Sequence, residues 1–258
     1  MTNTFDLDAL DFETPTIEFG AMGDLDRLAD AHNFFNWILD TFEPAIGNSI
    51  LEVGAGTGTI TKKLLDRRPG CDIVAIEPAT NLWNQLVATA GDFPEVDLLS
   101  GTLADNAWSP ELTRSFDTAL YLNVLEHIED DAGELTTAAE HLRPGGHVLV
   151  FVPAMPKLYS KLDRHAGHYR RYTKKTLRAA AEAAGLEIQK LVYFDVVNAL
   201  PYWLVYTLGG REKITASSGW LFDKVLVPMS KFVQMIMPSP PRGKNLIMIA
   251  RKPTAPLR

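Results

Sequence analysis

A glycine-rich turn directly follows a short apolar run early in the chain. The run 50–53 reads Ile-Leu-Glu-Val, and it is followed by Gly54, Ala55, Gly56 and Gly58 and then by a segment of helical pattern. In an open α/β sheet, ligands bind beyond the carboxyl ends of the strands, where small residues let the backbone approach the ligand and a helix N-terminus offers free amide donors. The order of strand, glycine turn and helix therefore predicts a nucleotide-like ligand at this turn.

Apolar runs of strand length alternate with helical segments, which predicts an α/β fold with a doubly wound, seven-stranded, mostly parallel sheet. The expected strands are Ser49–Val53, Asp72–Glu77, Val96–Ser100, Phe116–Asn123, His147–Val152, Leu186–Tyr193 and Asn245–Lys252. The expected helices are Leu25–Phe42, Thr57–Arg68, Asn81–Ala90, Ala132–Leu142 and Lys174–Ala184. The sequence Pro144-Gly145-Gly146 is expected to separate the fourth of these helices from the fifth strand.

We expect one domain, with an N-terminal arm and helix at 1–45, a core at 46–194, a helical insertion or cap at 195–243, and a last strand and tail at 244–258. Apolar side chains recur at helical spacing from Leu221 to Met237, and Pro228 should kink this helix. The pattern predicts packing against the core or as a lid, with a membrane surface or a dimer contact as the alternative. The oligomeric state, including a homodimer, stays open.

Charge and cysteine content exclude several classes of protein. The formal net charge is −7, whereas general nucleic-acid binders carry clustered Lys and Arg, so we expect a small-molecule substrate and no nucleic-acid partner. Cys71 is the single cysteine and the acidic N-terminus lacks the features of a secretion signal, so the expected location is cytoplasmic. The most apolar stretch, 196–208, is shorter than the ~20 residues that span a bilayer, so no transmembrane segment is expected.

The residues after the glycines decide which ligand the turn fits. A dinucleotide fingerprint would need a small residue at Thr59 or Thr61, and a phosphate-binding loop would need a lysine that is not there. The run instead resembles the first motif of class I S-adenosylmethionine-dependent methyltransferases. In that family an acidic residue, here Glu52, precedes the glycines and accompanies the methionine moiety of the cofactor.

Further matches to this family follow in order along the chain. Glu77 ends the next expected strand, just before Pro78, where a carboxylate can accept hydrogen bonds from both ribose hydroxyls. Two further stretches match the family's motifs. One begins with Asn123 and Val124 at the end of the fourth strand, and the other, Leu142-Arg143-Pro144-Gly145-Gly146, precedes the fifth. The chain departs from the family after the third strand, where many members have an acidic residue near the adenine. Here the Thr102 hydroxyl or the Leu103 backbone amide would take that role.

The segment after the fifth strand concentrates His, Asp, Arg and Tyr, and it contains the candidate acceptor side of the site. Its run Gly167-His168-Tyr169-Arg170-Arg171-Tyr172 resembles one found in bacterial small-molecule methyltransferases related to the quinone-biosynthesis enzymes, the type 11 branch. We take His168 as the leading general base, with Asp163 to orient it and Tyr169 beside it, and His127 as the second candidate. The charges of Arg170, Arg171, Lys174 and Lys175 either serve the site or form a solvated basic face.

A metal ion is a further hypothesis. Some quinone-type O-methyltransferases hold Mg²⁺ through an acid-x-x-Glu-His arrangement, and here Glu126 and His127 match it, whereas Asn123 stands in place of the first acid.

The expected reaction is methyl transfer from S-adenosylmethionine to a small molecule, most of all to the hydroxyl oxygen of a sugar or another secondary metabolite. The oxygen preference rests on the candidate base and metal ligands, which a neutral hydroxyl needs more than an amine does. Methylation of nitrogen or carbon and a non-catalytic cofactor-binding regulator are the alternatives.

Overall fold

Seven strands form one sheet in the computed structural model, which describes residues 18, 30–211 and 216–254. The strands are β1 (Ser49–Val53), β2 (Asp72–Glu77), β3 (Val96–Ser100), β4 (Phe116–Leu122), β5 (Leu142–Pro153), β6 (Glu187–Phe194) and β7 (Asn245–Arg251). Their order across the sheet is β3-β2-β1-β4-β5-β7-β6. The first five run parallel, and β7 pairs antiparallel with both β5 and β6. The expectation of a doubly wound, mostly parallel α/β sheet is confirmed.

Helices cover both faces of the sheet. They are α1 (His32–Phe42), α2 (Thr59–Arg67), α3 (Thr80–Ala90), α4 (Asp131–His141), α5 (Lys161–His165) and α6 (Lys174–Ala183), followed by the helices of the insertion. One core packs α1, α2 and α3 against alternate strand residues such as Ile50, and the other packs α4 and α6 against their neighbours such as Leu51. Burial on both faces explains why the central strands are apolar almost throughout.

The strand order reverses at β1, which lies between β2 and β4. Val53 at the end of β1 pairs with Ile76 of β2 on one side and with Tyr121 of β4 on the other. From β1 the chain continues outward to β2 and then β3 at one edge of the sheet. It then returns to β4, which lies next to β1 in the opposite direction. This switch point leaves a crevice beyond the carboxyl ends of the strands, where ligands of such sheets bind.

Two strand boundaries differ from those expected. Strand β4 ends at Leu122. The N–H of Asn123 still donates to the carbonyl of Phe151 on β5, but the left-handed backbone of Asn123, with φ of 53°, turns the chain out of the strand. Strand β5 begins at Leu142, so Pro144-Gly145-Gly146 lies inside it and not before it. The pairing of β4 with β5 is irregular between Phe116 and Thr118, and this irregularity accommodates the extra residues.

The remaining boundaries lie close to those expected, except at the N-terminus. Helix α1 is described from His32. The expected start of that helix at Leu25, and all of the expected arm that precedes it except Glu18, lie outside the described residues.

The insertion between β6 and β7 is helical, as expected. Its first helix is α7 (Ala199–Tyr202), which continues as a π-helix over Trp203–Leu208. Its second, the long helix, comprises α8 (Ala216–Leu221), a π-helical segment (Phe222–Leu226) and α9 (Val227–Ile236).

Pro228 lies in the first turn of α9, directly after the π-helical segment, and the expected kink there stays a prediction. The predicted packing of the apolar face against the core is confirmed for Phe222, which contacts Phe34. It is wrong for Leu221, Met229, Phe232 and Ile236, which are exposed. None of the helices in the described part of the chain is long and apolar enough to cross a membrane.

Candidate active site

The glycine-rich turn after β1 bends through left-handed backbone at each glycine, with φ of 73° at Gly54, 60° at Gly56 and 80° at Gly58. A Cβ on Gly54 would come within 2.4 Å of the Val124 side chain, so this glycine lets the turn approach the segment after β4. A Cβ on Gly56 would meet nothing within 4 Å. The turn therefore has open space at Gly56, as a cradle for a cofactor requires, with Ala55 buried beneath it.

The carboxylate of Glu77, at the end of β2, is tied to this turn. Its Oε2 accepts from the backbone N–H of Gly56 at 2.7 Å, and its Oε1 accepts from that of Ala79 at 2.8 Å. Burial raises the pKa of Glu77, although these two hydrogen bonds act to lower it. Each carboxylate oxygen can accept a second hydrogen bond, so the expected contact with two ribose hydroxyls remains compatible with this geometry. Pro78, between Glu77 and Ala79 in the chain, is half-buried.

A second buried carboxylate, Glu52, lies on the neighbouring strand. Burial raises its pKa to about 7, although the hydroxyl of Thr61 donates to its Oε2 at 2.7 Å and opposes the shift. The negative charge of Glu77 adds to the rise. Two desolvated carboxylates beside one turn favour a cationic or hydrogen-bond-donating ligand, which the ammonium, sulfonium and ribose groups of S-adenosylmethionine provide. Thr61 lies in the first turn of α2 and contacts Glu52 from there. This role is separate from the mismatch of Thr61 to the dinucleotide fingerprint.

The turn after β3 is organised by a residue that the sequence comparison passed over. Asp105 Oδ2 accepts from both the backbone N–H and the hydroxyl of Thr102, at 2.8 and 2.7 Å. The Thr102 hydroxyl is thus already engaged, and Leu103 is buried. These two hydrogen bonds from Thr102 lower the pKa of Asp105 and hold its carboxylate against the turn. The assignment of adenine contacts to Thr102 and Leu103 stays a prediction.

A hydrogen-bonded network surrounds Asp163, in the segment that the sequence predicts as the acceptor side. Asp163 is buried in the short helix α5, and its Oδ1 accepts from Nδ1 of His168 at 3.0 Å and from Nε of Arg171 at 2.7 Å. Its Oδ2 accepts from the backbone and hydroxyl of Ser160 and from the hydroxyl of Tyr202 at 3.1 Å. Burial alone would raise the pKa of Asp163, but the donors and the Arg171 charge hold it well below its usual range.

Three titratable side chains meet beside this network. Nε2 of His168 lies 3.9 Å from Oε1 of Glu126, and the rings of His127 and His168 make an edge contact with centroids 4.7 Å apart. Both carboxylate oxygens of Glu126 are buried and have no hydrogen-bond partner among the described residues, and burial raises its pKa to about 7. Burial lowers the pKa of His127 to about 4, helped by the neighbouring His168. His127 is therefore neutral at pH 7.

The run Gly167-His168-Tyr169-Arg170-Arg171-Tyr172 divides between the inside and the surface. His168 and Arg171 enter the network, while the side chain of Tyr169 is 59% exposed and only its backbone N–H contacts Glu126. Tyr172 is buried, and its hydroxyl donates to the carbonyl of Leu125, which fixes the run to the segment after β4.

The alternative that Arg170, Arg171, Lys174 and Lys175 form a solvated basic face is thus wrong for Arg171, which is 7% exposed. Lys175, by contrast, is exposed. Sequence analysis also missed Ser160 and Tyr202. The spacing Ser160-x-x-Asp163, which forms a capping box on α5, was a usable signal for the first. The contact of Tyr202 is too distant in sequence to be anticipated.

The same three side chains could hold a metal ion. Glu126, His127 and His168 each offer one ligand atom, and these atoms lie within 4.8 Å of one another. Two imidazole nitrogens and one carboxylate suit Zn²⁺, Fe²⁺ or Mn²⁺, whereas Mg²⁺ prefers oxygen ligands. Asn123, the counterpart of the first acid in the expected arrangement, is exposed and is not part of this group. The donors therefore fit a transition ion better than the expected Mg²⁺.

Comparisons with known proteins agree with this architecture. A family model described as a methyltransferase domain matches residues 25–191. An uncharacterized methyltransferase of Mycobacterium tuberculosis is 33% identical over 113 residues, which cover 44% of this chain and 41% of that protein. A ubiquinone biosynthesis O-methyltransferase of Ralstonia nicotianae is 24% identical over 196 residues, covering 69% of this chain and 76% of that protein. The chain spans less than half the length of the first curated relatives it matches.

Solved structures share the fold. The crystal structure of an S-adenosylmethionine-dependent methyltransferase from Archaeoglobus fulgidus superposes with a TM-score of 0.58 at 15% identity, covering 86% of this chain and 95% of that one. This likeness concerns the fold, and the family match covers well over half of the chain. Together with the glycine-rich turn and its two buried carboxylates, these matches show that the chain belongs to the class I S-adenosylmethionine-dependent methyltransferase family.

Proposed function

We propose that the protein transfers a methyl group from S-adenosylmethionine to a hydroxyl oxygen of a small molecule, with His168 as general base. The observation that carries this proposal is the pair formed by Asp163 and His168. Oδ1 of Asp163 lies 3.0 Å from Nδ1 of His168 and fixes the tautomer in which Nε2 is free to accept a proton. A neutral hydroxyl must lose its proton as it is methylated, whereas an unprotonated amine attacks with its lone pair.

S-adenosylmethionine carries the methyl group on a sulfonium, and the methyl carbon leaves the sulfur as its bond to the acceptor oxygen forms. The residues of this chain align the two reactants and remove the acceptor's proton. The proton passes to Nε2 of His168, where Asp163 on one side and Glu126 on the other stabilise the imidazolium. Glu126, with a pKa of about 7, is the next proton acceptor along this line.

The favoured acceptor class is a sugar hydroxyl or another secondary-metabolite hydroxyl. The similarity to ubiquinone biosynthesis O-methyltransferases supports oxygen as the acceptor atom. Methylation of an amine nitrogen would not need the His168 base to the same degree, and a non-catalytic regulator would not need it at all.

The test is a panel of acceptors incubated with S-adenosylmethionine labelled in the methyl group. Each hydroxyl compound is paired with its O-methylated counterpart and with the corresponding amine. We expect label only in compounds with a free hydroxyl, and a loss of that label in His168→Ala. Label in the amines alone would contradict O-methylation, and cofactor binding without any transfer would favour a regulator.

A metal-dependent reaction at the same place is the second candidate, because Glu126, His127 and His168 bring three ligand atoms within 4.8 Å. When bound, a divalent ion would act as a Lewis acid toward the acceptor oxygen. If this holds, chelator removes activity, and Mn²⁺ or Zn²⁺ restores it better than Mg²⁺ does. Full activity in excess chelator, with no metal found by elemental analysis, would eliminate the metal.

A further inference from the structure

The long helix of the insertion has an inverted distribution of polar and apolar side chains. Its buried side carries Asp223 and Ser230, which are 2% and 0% exposed, around Val227, the single buried apolar residue in the described part of this helix. Phe222 packs on the edge of the core. Asp223 Oδ1 accepts from the backbone N–H of Phe34, and the Ser230 hydroxyl donates to Asp195 and accepts from the N–H of Val197. The polar side chains of this helix therefore anchor it to the domain.

The opposite side of the long helix is apolar and faces outward. We call it the outer face, and it consists of Leu221, Val225, Met229, Phe232 and Ile236, which are spaced by three or four residues and are 36–68% exposed. A surface helix normally buries its apolar stripe, and a contiguous exposed stripe marks an interaction site.

The first helix of the insertion repeats this inversion. The hydroxyl of Tyr202 donates to Asp163, and that of Thr207 donates to the carbonyl of Leu158. Leu204 and Leu208, by contrast, are 50% and 62% exposed. Both helices therefore bind the domain through polar side chains and expose leucines or aromatic residues. This shared arrangement points to a common apolar partner.

Charge identifies the kind of partner. Among the described residues of the insertion, the exposed charged side chains are all basic: Arg211, Lys224, Lys231 and Arg242. Its described acidic residues, Asp195 and Asp223, are both buried. Lys224 pairs with Asp223 and Lys231 with Asp40, whereas the surface of the insertion itself offers positive charge. An apolar face in a basic region is complementary to a surface that is apolar beneath a layer of negative charge.

A second copy of the chain does not have this complementarity. A two-fold symmetric dimer through the outer face would place the same surface on both sides, so that each basic region would meet its own copy. The opposing charges would repel each other, whereas anionic lipid headgroups would attract them.

We propose that the outer face binds the surface of a membrane that carries anionic lipids, with the long helix lying in the plane of the interface. The stripe from Leu221 to Ile236 is about 22 Å long at 1.5 Å per residue, too short to span a bilayer but sufficient to enter the headgroup layer. Lys224 and Lys231 can extend from the helix toward the phosphates.

The position of the insertion gives this docking a consequence that rests on the proposed function. Tyr202 belongs to the first helix of the insertion and contacts Asp163, and Leu204 and Leu208 of the same helix are exposed. A membrane that binds these leucines together with the outer face would therefore lie next to the predicted acceptor side of the site. An acceptor of mixed character, with a hydroxyl at the headgroup level and an apolar body in the lipid, would reach His168 from the bilayer.

The docking is tested by flotation of the full chain with two kinds of vesicle, without cofactor or acceptor. One contains phosphatidylcholine alone, and in the other part of it is replaced by phosphatidylglycerol. We expect flotation with the anionic vesicles only, and its loss in high salt. Phe232→Ser and Ile236→Ser should abolish flotation, whereas Trp108→Ser should not, because Trp108 is 96% exposed but lies outside the insertion.

Matched lysine variants test the charge. Lys224→Gln and Lys231→Gln should each weaken binding to anionic vesicles by about fivefold, which corresponds to about 1 kcal/mol for a lysine near such a surface. Lys62→Gln is the control, since Lys62 is also exposed and paired with a carboxylate. Equal flotation with both vesicles, flotation with neither, or a lipid-free dimer that Phe232→Ser converts to monomer would overturn the proposal. None of these results depends on methyl transfer, which is assayed separately with water-dissolved acceptors.

Discussion

The backbone N–H of Gly56 donates to Oε2 of Glu77 across 2.7 Å, so the turn after β1 and the carboxylate that ends β2 hold each other in place. By resemblance to the family, the turn is expected to bind the methionine part of the cofactor and Glu77 its ribose, so this contact joins the two expected binding elements. It also means that the Glu77 carboxylate is oriented before any ligand arrives, which lowers the ordering cost of binding.

Glu77→Ala should weaken S-adenosylmethionine binding by about 1.5 to 3 kcal/mol, the usual value of hydrogen bonds to a charged group. Glu77→Gln should lose less, because its amide oxygen still accepts one backbone hydrogen bond. Isothermal titration calorimetry of the three proteins measures this order. A dissociation constant that is unchanged in Glu77→Ala would make Glu77 a structural residue only.

Gly56→Leu should abolish cofactor binding while the fold persists. A side chain at Gly56 meets no protein atom within 4 Å and would enter the space that we assign to the cofactor. The substitution also has a backbone cost of about 1 to 2 kcal/mol, because φ is 60°.

Gly70→Leu is the matched control for that cost. Gly70 has φ of 83° and equally open space, but it precedes β2 at the other end of the sheet. Both variants should lose similar thermal stability, and only the variant at Gly56 should lose binding. Equal affinity in the two variants would remove the turn from the cofactor site.

Cofactor binding should tighten as pH rises through 7, because Glu52 must ionise to attract the cationic methionine moiety. Burial raises the pKa of Glu52 above its ordinary value of 4.5 to about 7, so the folded protein holds this proton more tightly than the unfolded chain does. Its ionisation therefore lowers the free energy of unfolding as pH rises from 4.5 to 7, and a bound cation offsets this loss. Below pH 7 the affinity should fall by up to about tenfold per pH unit.

Calorimetry in buffers of different ionisation enthalpy measures the proton released on binding. Glu52→Gln keeps an acceptor for Thr61 but cannot ionise, so it should bind weakly and without this pH dependence. If the variant keeps the pH dependence of the natural protein, another group is responsible.

Local signals predicted that the residues of the expected cofactor side lie close together, because they belong to short contiguous motifs. Glu52, the glycines and Glu77 follow one another at strand ends, and the parallel sheet brings strand ends together. The acceptor side depends on contacts that join distant segments. Asp163 receives donors from Ser160, His168, Arg171 and Tyr202, and the burial of Arg171 could not be inferred from a run of basic residues.

The orientation of the long helix shows a different limit. The spacing of apolar residues predicted a helix with two faces, and the general rule then places the apolar face inside. The rule fails here because Asp223 and Ser230 find partners in α1 and beside β6, at Phe34 and Asp195. Periodicity gives the two faces of a helix, but the partners of its polar residues decide which face is buried.

The sharpest test of the proposed chemistry is the loss of His168 with the cofactor site intact. His168→Ala should retain S-adenosylmethionine affinity but lose about 10² to 10⁴-fold in turnover, the usual contribution of a general base. His165→Ala is the matched control, because His165 is exposed on the same short segment and should leave turnover unchanged.

Added imidazole separates a base from a merely structural residue, since it can restore proton transfer in the cavity left by His168→Ala but cannot repair a misfolded site. We expect partial rescue in this variant and none in Asp163→Asn, where Arg171 loses its charged partner. If His127→Ala instead shows the loss and the rescue while His168→Ala stays active, the base lies at the end of β4. The low pKa of His127, about 4, argues against that outcome, because a base that weak holds the acceptor's proton poorly at neutral pH.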